Sequence, residues 1–172
     1  MDRSRHIMVV VGLLIFAVIM IIIDYLVPIE ITSDAPAEIR RAAVEQGLPL
    51  IGTPYRFGAK GPVAFDCSGL IVYLYTKAVE ASEFKLPFED AHAQELAHQY
   101  SSPVSDPMPG DLAFFQSETG KITHVALIIA VSEQEFLLLE ASGYTNSVEK
   151  RNVEKNRSDL FSVARLRLVK HY

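Results

Sequence analysis

The chain holds a single cysteine, Cys67, which follows Gly61-Pro62-Val63-Ala64-Phe65-Asp66 and opens a hydrophobic run through Tyr75. Asp66 is a helix N-cap type, because its carboxylate can accept from an orphan amide of the first turn. The spacing therefore predicts a helix from Cys67 to Ala81 with the thiol in its opening turn. A helix N-terminus favours negative charge, so it suits a thiolate, and its amides can hold an oxyanion formed when sulfur attacks a carbonyl. A free cysteine is more often a small buried hydrophobe. A core cysteine, however, has no need of a loop-to-helix junction, and Gly58 and Gly61 make the preceding loop compliant while Ser68 and Gly69 leave the approach to sulfur narrow but open.

A thiol nucleophile needs a base within hydrogen-bond reach. His124 opens the apolar segment Val125 to Val131, where it shares a strand face with Ala126 and Ile128. On the next strand Phe136, Leu138 and Glu140 share a face. A hairpin with a loop at Val131, Ser132 and Glu133 sets Glu140 opposite His124, and a register displaced by one pair makes them diagonal neighbours. Glu140 is thus the candidate orienter of the imidazole, fixing the tautomer that offers a free nitrogen to Cys67. The alternatives are a structural histidine at a strand end and a solvated strand-end carboxylate.

The elements that must position these residues divide into helices first and strands afterwards. Ala35 to Gln46 reads as a helix with Pro36 near its start and Glu38, Arg40, Arg41 and Glu45 on a wet face. Gly47, Pro49, Gly52 and Pro54 force a loop. The early turns of the Cys67 helix are apolar nearly all round, which implies a buried central helix. Glu89 to Tyr100 is polar and helix-compatible, and Ser101 to Gly110 reads as a proline-rich loop. Leu112 to Gln116, Thr123 to Val131, Glu135 to Ala141 and Phe161 to Val169 read as strands, and Glu149 to Asp159 as a solvated charged loop with no site. This order argues an α+β fold with an antiparallel sheet.

Several function classes drop out. With 172 residues and a net charge of -5, the chain fits one domain plus an accessory segment and offers no broad basic surface for nucleic acid. One cysteine excludes an intrachain disulfide and an all-cysteine metal site. His92 and His98 lie in a polar stretch and no HExxH is present, so no metal is expected, and thiol hydrolysis requires no cofactor.

From Ile7 to Ile23 the residues are apolar or glycine, and Arg3 and Arg5 precede them while Asp24, Glu30 and Asp34 follow. The expectation is an uncleaved transmembrane anchor over residues 1–27, a linker over 28–35, and a catalytic domain over 36–172 outside the cytoplasm, because positive charge beside a span stays on the cytoplasmic side. The competing reading, a buried core helix, leaves such a segment no polar face to show water.

Four ordered motifs carry a resemblance: Gly52-Thr53-Pro54-Tyr55, Phe65-Asp66-Cys67-Ser68-Gly69-Leu70, Pro109-Gly110-Asp111-Leu112-Ala113-Phe114-Phe115, and His124-Val125-Ala126-Leu127-Ile128. Together they resemble the NlpC-type papain-like cell-wall peptidases over about residues 37–169. The resemblance implies a papain-like fold with the Cys67 helix packed on an antiparallel sheet and His124 on a facing strand. It implies cleavage of peptidoglycan stem peptides, mostly between γ-D-glutamyl and a diamino acid. It also places Tyr55 beside the nucleophile and Asp66 and Ser68 at the substrate's amino-terminal end. The chain departs from the family where His, Asn or Gln commonly stands and Glu140 stands here, in Ala59 at the end of the Tyr-x-x-Gly-Gly pattern, and in the lack of an Arg between Leu86 and Gln94. The rival classes are a thiol acyltransferase or lipid-acting enzyme of related fold, in many of which the histidine precedes the cysteine, and a non-catalytic wall-binding module, which usually loses one of the pair.

Overall fold

The computed structural model describes residues 3–26 and 31–170. The chain forms two compact units, Met1–Ile31 and Thr32–Tyr172. In the first, Arg3–Leu26 is an α-helix, α1. Its apolar side chains from Met8 to Ile19 are exposed. Among the described residues no helix is long and apolar enough to cross a membrane. The expected span, Ile7–Ile23, extends past the residues whose side chains are described, and residues 27–30 of the expected anchor and linker lie outside the described residues.

The second unit is α+β. Its helices are α2 (Ala37–Gly47), α3 (Cys67–Val79) and α4 (Ala93–His98), and its strands are β1 (Thr32–Asp34), β2 (Phe84–Lys85), β3 (Ser101–Pro103), β4 (Leu112–Gln116), β5 (Ile122–Val131), β6 (Glu135–Ser142), β7 (Ser147–Glu154) and β8 (Leu160–Lys170). The strands pair in the order β1-β8-β4-β5-β6-β7, with β2 and β3 also on β8, and every pairing is antiparallel.

Helix α3 is apolar on nearly every side because it is buried on nearly every side: Leu70, Ile71 and Leu74 pack with Ile39 and Ala43 of α2 against Leu112, Phe114, Val125, Leu127 and Leu139 of the sheet. The other sheet face carries a smaller cluster of Ala113, Phe115, Ala126, Ile128, Phe136, Leu138 and Val153.

Several sequence expectations change. Thr32–Asp34, placed in the linker, pairs with β8 over Arg167–Val169. The Glu89–Tyr100 helix contracts to α4, whose His92 cap and Glu95 side chain form a capping box. Ser101–Pro103, expected in a loop, is a strand on β8. The solvated loop from Glu149 is instead largely β7, paired residue for residue with β6. Arg40, expected on the wet face of α2, is buried against Asp111.

That buried contact belongs to the Pro109-Gly110-Asp111 motif. Asp111 is fully buried and accepts from Arg165 Nε at 2.7 Å, Arg165 Nη2 at 2.9 Å, Arg40 Nη1 at 3.3 Å and the Met108 amide at 2.8 Å. The Tyr75 hydroxyl donates to the Gly110 carbonyl. Burial first, then the neighbouring Asp111 charge, raises the Tyr75 pKa and keeps the phenol neutral. The motif therefore ties α2, α3, β4 and β8 together and sets the sheet beneath the nucleophile helix.

Candidate active site

Cys67 is the first residue of α3, and Asp66 caps it from an extended conformation. Asp66 Oδ1 accepts from the Gly69 amide at 2.6 Å and from Ser68 Oγ at 3.1 Å, while Oδ2 accepts from the Gly58 amide at 2.8 Å. One carboxylate thus closes the helix and the loop that precedes it. Gly69 is required by this closure: a Cβ there would lie 2.2 Å from the Ala59 carbonyl oxygen. The first-turn amides of Cys67 and Ser68 have no intrahelical acceptor.

His124 pairs with Phe115 in the β4–β5 register, and the ladder shifts immediately beyond, where Gln116 pairs with Ile122. Ile122 and Val125 consequently both pack in the main core. His124 stands at this bulge, on the face of the smaller cluster, with its ring 5.8 Å from that of Phe115. From there it faces the Cys67 side chain, which helps raise its pKa. Its Nε2 lies 2.7 Å from Glu140 Oε2, so Nδ1 is the nitrogen left for the thiol.

Glu140 is almost wholly buried. The hairpin register differs from the direct pairing considered above and matches the diagonal one: Leu127 pairs with Leu139, Ile128 with Leu138, and a bulge at Ile129 absorbs the offset. Arg151, on β7, donates through Nε to Glu140 Oε1 and through Nη2 to Oε2, the latter at 2.8 Å. Its guanidinium carbon sits 5.4 Å from the centre of the Phe115 ring.

The electrostatics follow from these contacts. Burial works against a charged imidazole, but the neighbouring Cys67 and Glu140 side chains outweigh it and raise the His124 pKa to about 9. Burial likewise opposes the Glu140 carboxylate, and Arg151 and His124 overcome it, lowering its pKa to about 2. Burial, then the charges of Cys67 and Asp66, raise the Tyr55 pKa, which keeps its hydroxyl protonated beside the nucleophile. The Tyr55 ring lies against Gly143, where an added Cβ would meet ring carbons at 3.3 Å.

A cleft of about 880 Å³ opens beside these groups, and Tyr55, Asp66, Cys67, Ser68, His98 and Lys121 are among the residues lining it. All six residues singled out from the sequence, Cys67, His124, Glu140, Tyr55, Asp66 and Ser68, therefore gather in one region of the second unit.

The NlpC/P60 family matches residues 52–165 of the chain. The chain belongs to the NlpC/P60 family. Among curated NlpC/P60 relatives, it is 35% identical over 79 residues to the probable endopeptidase p60 of Listeria grayi, a match covering 46% of this chain and 14% of that protein. It is 32% identical over 91 residues to the murein DD-endopeptidase MepH of Escherichia coli, covering 52% of this chain and 32% of that one. The aligned stretch is thus under half of either relative's length. Among solved structures, the NlpC/p60 domain of the peptidoglycan hydrolase SagA superposes with a TM-score of 0.51 at 26% identity, over 73% of this chain and 97% of that one. NlpC2 of Trichomonas vaginalis gives 0.55 at 23% identity, over 77% of this chain and 49% of that one, a likeness of fold. The fold is the NlpC/P60 papain-like one, with the Cys67 helix packed on an antiparallel sheet.

The functional candidate that sequence reasoning missed is Arg151. Only Val148 and Val153 are apolar in β7, and they point to opposite faces, so the strand shows no alternation to reveal it. The available signal was Arg151 lying two residues beyond Glu149 in a segment that follows the strand of a buried glutamate.

Proposed function

We propose that the protein is a cysteine endopeptidase that hydrolyses amide bonds in peptidoglycan stem peptides, most specifically the bond from γ-D-glutamyl to a diamino acid. The observation that carries this reading is the series Cys67, His124, Glu140: a thiol at a helix N-terminus beside an imidazole whose Nε2 is held 2.7 Å from a buried carboxylate. Family membership and the names of the relatives support the substrate class.

In this mechanism the Cys67 thiolate attacks the scissile carbonyl carbon, and the carbonyl electron pair moves to oxygen, where first-turn amides of α3 stabilise it. Collapse breaks the C–N bond as His124 gives its proton to the leaving amine. The neutral imidazole then removes a proton from water, hydroxide adds to the thioester, and the acid product leaves as Cys67 returns to thiolate and His124 to imidazolium. Glu140 keeps the ring in the tautomer that serves both steps. Tyr55, Asp66 and Ser68 line the cleft beside the thiol and serve substrate binding, with Asp66 and Ser68 toward a free amino terminus.

The domain works outside the cytoplasm on a chain tethered by its N-terminal helix. The apolar run Ile7–Ile23 with Arg3 and Arg5 before it supports the tether, and the exposed apolar side chains of α1 fit a lipid surrounding. Mass analysis of fragments released from purified peptidoglycan by the full-length protein tests the reading. New amino groups on the diamino acid are expected. Release of sugar fragments or of fatty acid from lipid, with every peptide intact, points to a different class of enzyme.

A further inference from the structure

Carboxylates rarely sit alone in a protein interior, since removing the charge from water is costly unless it is paired. Glu140 accepts hydrogen bonds on both oxygens, and the donors are His124 and Arg151. The Arg151 contact is the two-pronged guanidinium fork, which fixes the plane of a carboxylate as well as its charge. Phe115 borders both cations: the Arg151 guanidinium carbon lies over its ring at 5.4 Å, and the His124 ring is tilted against it with centres 5.8 Å apart, so Arg151 and His124 meet one carboxylate beside a shared aromatic ring.

We propose that Arg151 is a positioning residue for the reaction: it clamps Glu140 and cancels its charge, so that a buried carboxylate can orient His124 without holding the imidazolium proton too tightly to be delivered to the leaving amine. The proposal rests on the reading of Cys67, His124 and Glu140 as the reacting group. It explains how a buried charged carboxylate, rather than a neutral side chain, can serve as the partner of His124. The guanidinium thus offsets the charge of the same carboxylate that His124 meets.

Other charged groups surround these residues. Cys67 faces the imidazole from α3, with Tyr55 and Asp66 beside the thiol, and Arg151 feels Glu149 on its own strand and Arg157 from the loop before β8. Arg157 in turn feels Glu140 and pairs with Asp159. All of these remain in place when Arg151 and Glu140 are varied, so comparisons among the variants isolate the clamp.

The test is a double-mutant cycle on the full-length protein using Arg151→Met and Glu140→Gln, with Arg151→Lys as the conservative variant. Folding is checked by near-ultraviolet circular dichroism. Two quantities are read: kcat on an L-Ala-γ-D-Glu-diaminopimelate peptide, and the His124 titration by NMR, which needs no substrate. In the Glu140 background, Arg151→Met is expected to raise the His124 pKa and lower kcat by about tenfold with little change in KM, because geometry and proton release both suffer. Glu140→Gln leaves the guanidinium uncompensated beside the ring and lowers the His124 pKa. Adding Arg151→Met to Glu140→Gln should then raise both that pKa and kcat. Arg151→Lys keeps the charge but not the fork, so the His124 titration should stay near that of the wild type while kcat falls part of the way. The reversal of sign in kcat is what a merely structural arginine does not give. An impaired Glu140→Gln protein in which Arg151→Met lowers kcat in both backgrounds, or leaves the His124 titration unmoved, overturns the role of Arg151 alone. A Glu140→Gln protein with wild-type kcat and titration overturns the reading of Glu140 as well.

Discussion

His124 Nε2 lies 2.7 Å from Glu140 Oε2 although the two residues are one pair out of direct register on neighbouring strands. The diagonal is short enough for a glutamate to span, and it leaves Nδ1 for Cys67. Glu140→Ala is therefore expected to lower kcat by about 10–10³-fold, since the nucleophile and oxyanion donors remain when the orienting residue is lost, and Glu140→Gln should fall between that variant and the wild type. Steady-state hydrolysis of a stem peptide measures this. Wild-type turnover by a folded Glu140→Ala protein would leave His124 oriented by another group.

The pair should also shape stability against pH, with opposite signs at its two ends. Glu140 is lowered from 4.5 to about 2, so its contribution is present above pH 4.5 and is lost as pH falls toward 2. His124 is raised from 6.5 to about 9, so its contribution is present below pH 6.5 and is lost as pH rises through 9. Urea midpoints across this range should be highest between the two limbs, and Glu140→Gln should flatten the acid one. Midpoints of that variant that follow the wild type through the acid limb would contradict the pairing.

Asp111 makes a separate claim, on stability alone. Replacing it with Ala leaves Arg40 and Arg165 without their shared carboxylate, and breaking a buried ion pair from one side costs about 3–5 kcal/mol. Urea unfolding should show a loss of that order. A loss near that of a surface substitution would remove Asp111 from the supports of α3.

Gly69→Ala should be costly through a different cause. The new methyl would press on the Ala59 backbone, which cannot swing aside as a long side chain can, and overpacking of this kind costs about 1–3 kcal/mol. Reduced thermal stability together with slower Cys67 alkylation by iodoacetamide is expected. Unchanged values of both would show that the loop yields freely.

Much of the site was legible because its residues sit where local rules act. Asp66 before Cys67 is a cap read from adjacent residues, and the cap is present. The placement of His124 and Glu140 on one face needed only strand alternation, while the true diagonal depended on a bulge at Ile129 that no residue type announces. Arg40 illustrates the opposite case. Its helical position is polar by type, and its burial is decided by Asp111, 71 residues away. Arg151 was hidden for a related reason, since a strand whose outward side chains are charged and whose buried contacts are ion pairs reads by composition as a solvated loop.

Hydrolysis of an L-Ala-γ-D-Glu-diaminopimelate peptide by wild-type, Cys67→Ala and His124→Ala proteins, followed by mass spectrometry, tests the central claim most directly. The wild type should release L-Ala-γ-D-Glu and free diaminopimelate, and the two variants, folded by circular dichroism, should release neither. Equal product from Cys67→Ala would contradict the assignment of Cys67 as nucleophile, and an intact peptide after incubation with the wild type would contradict the substrate.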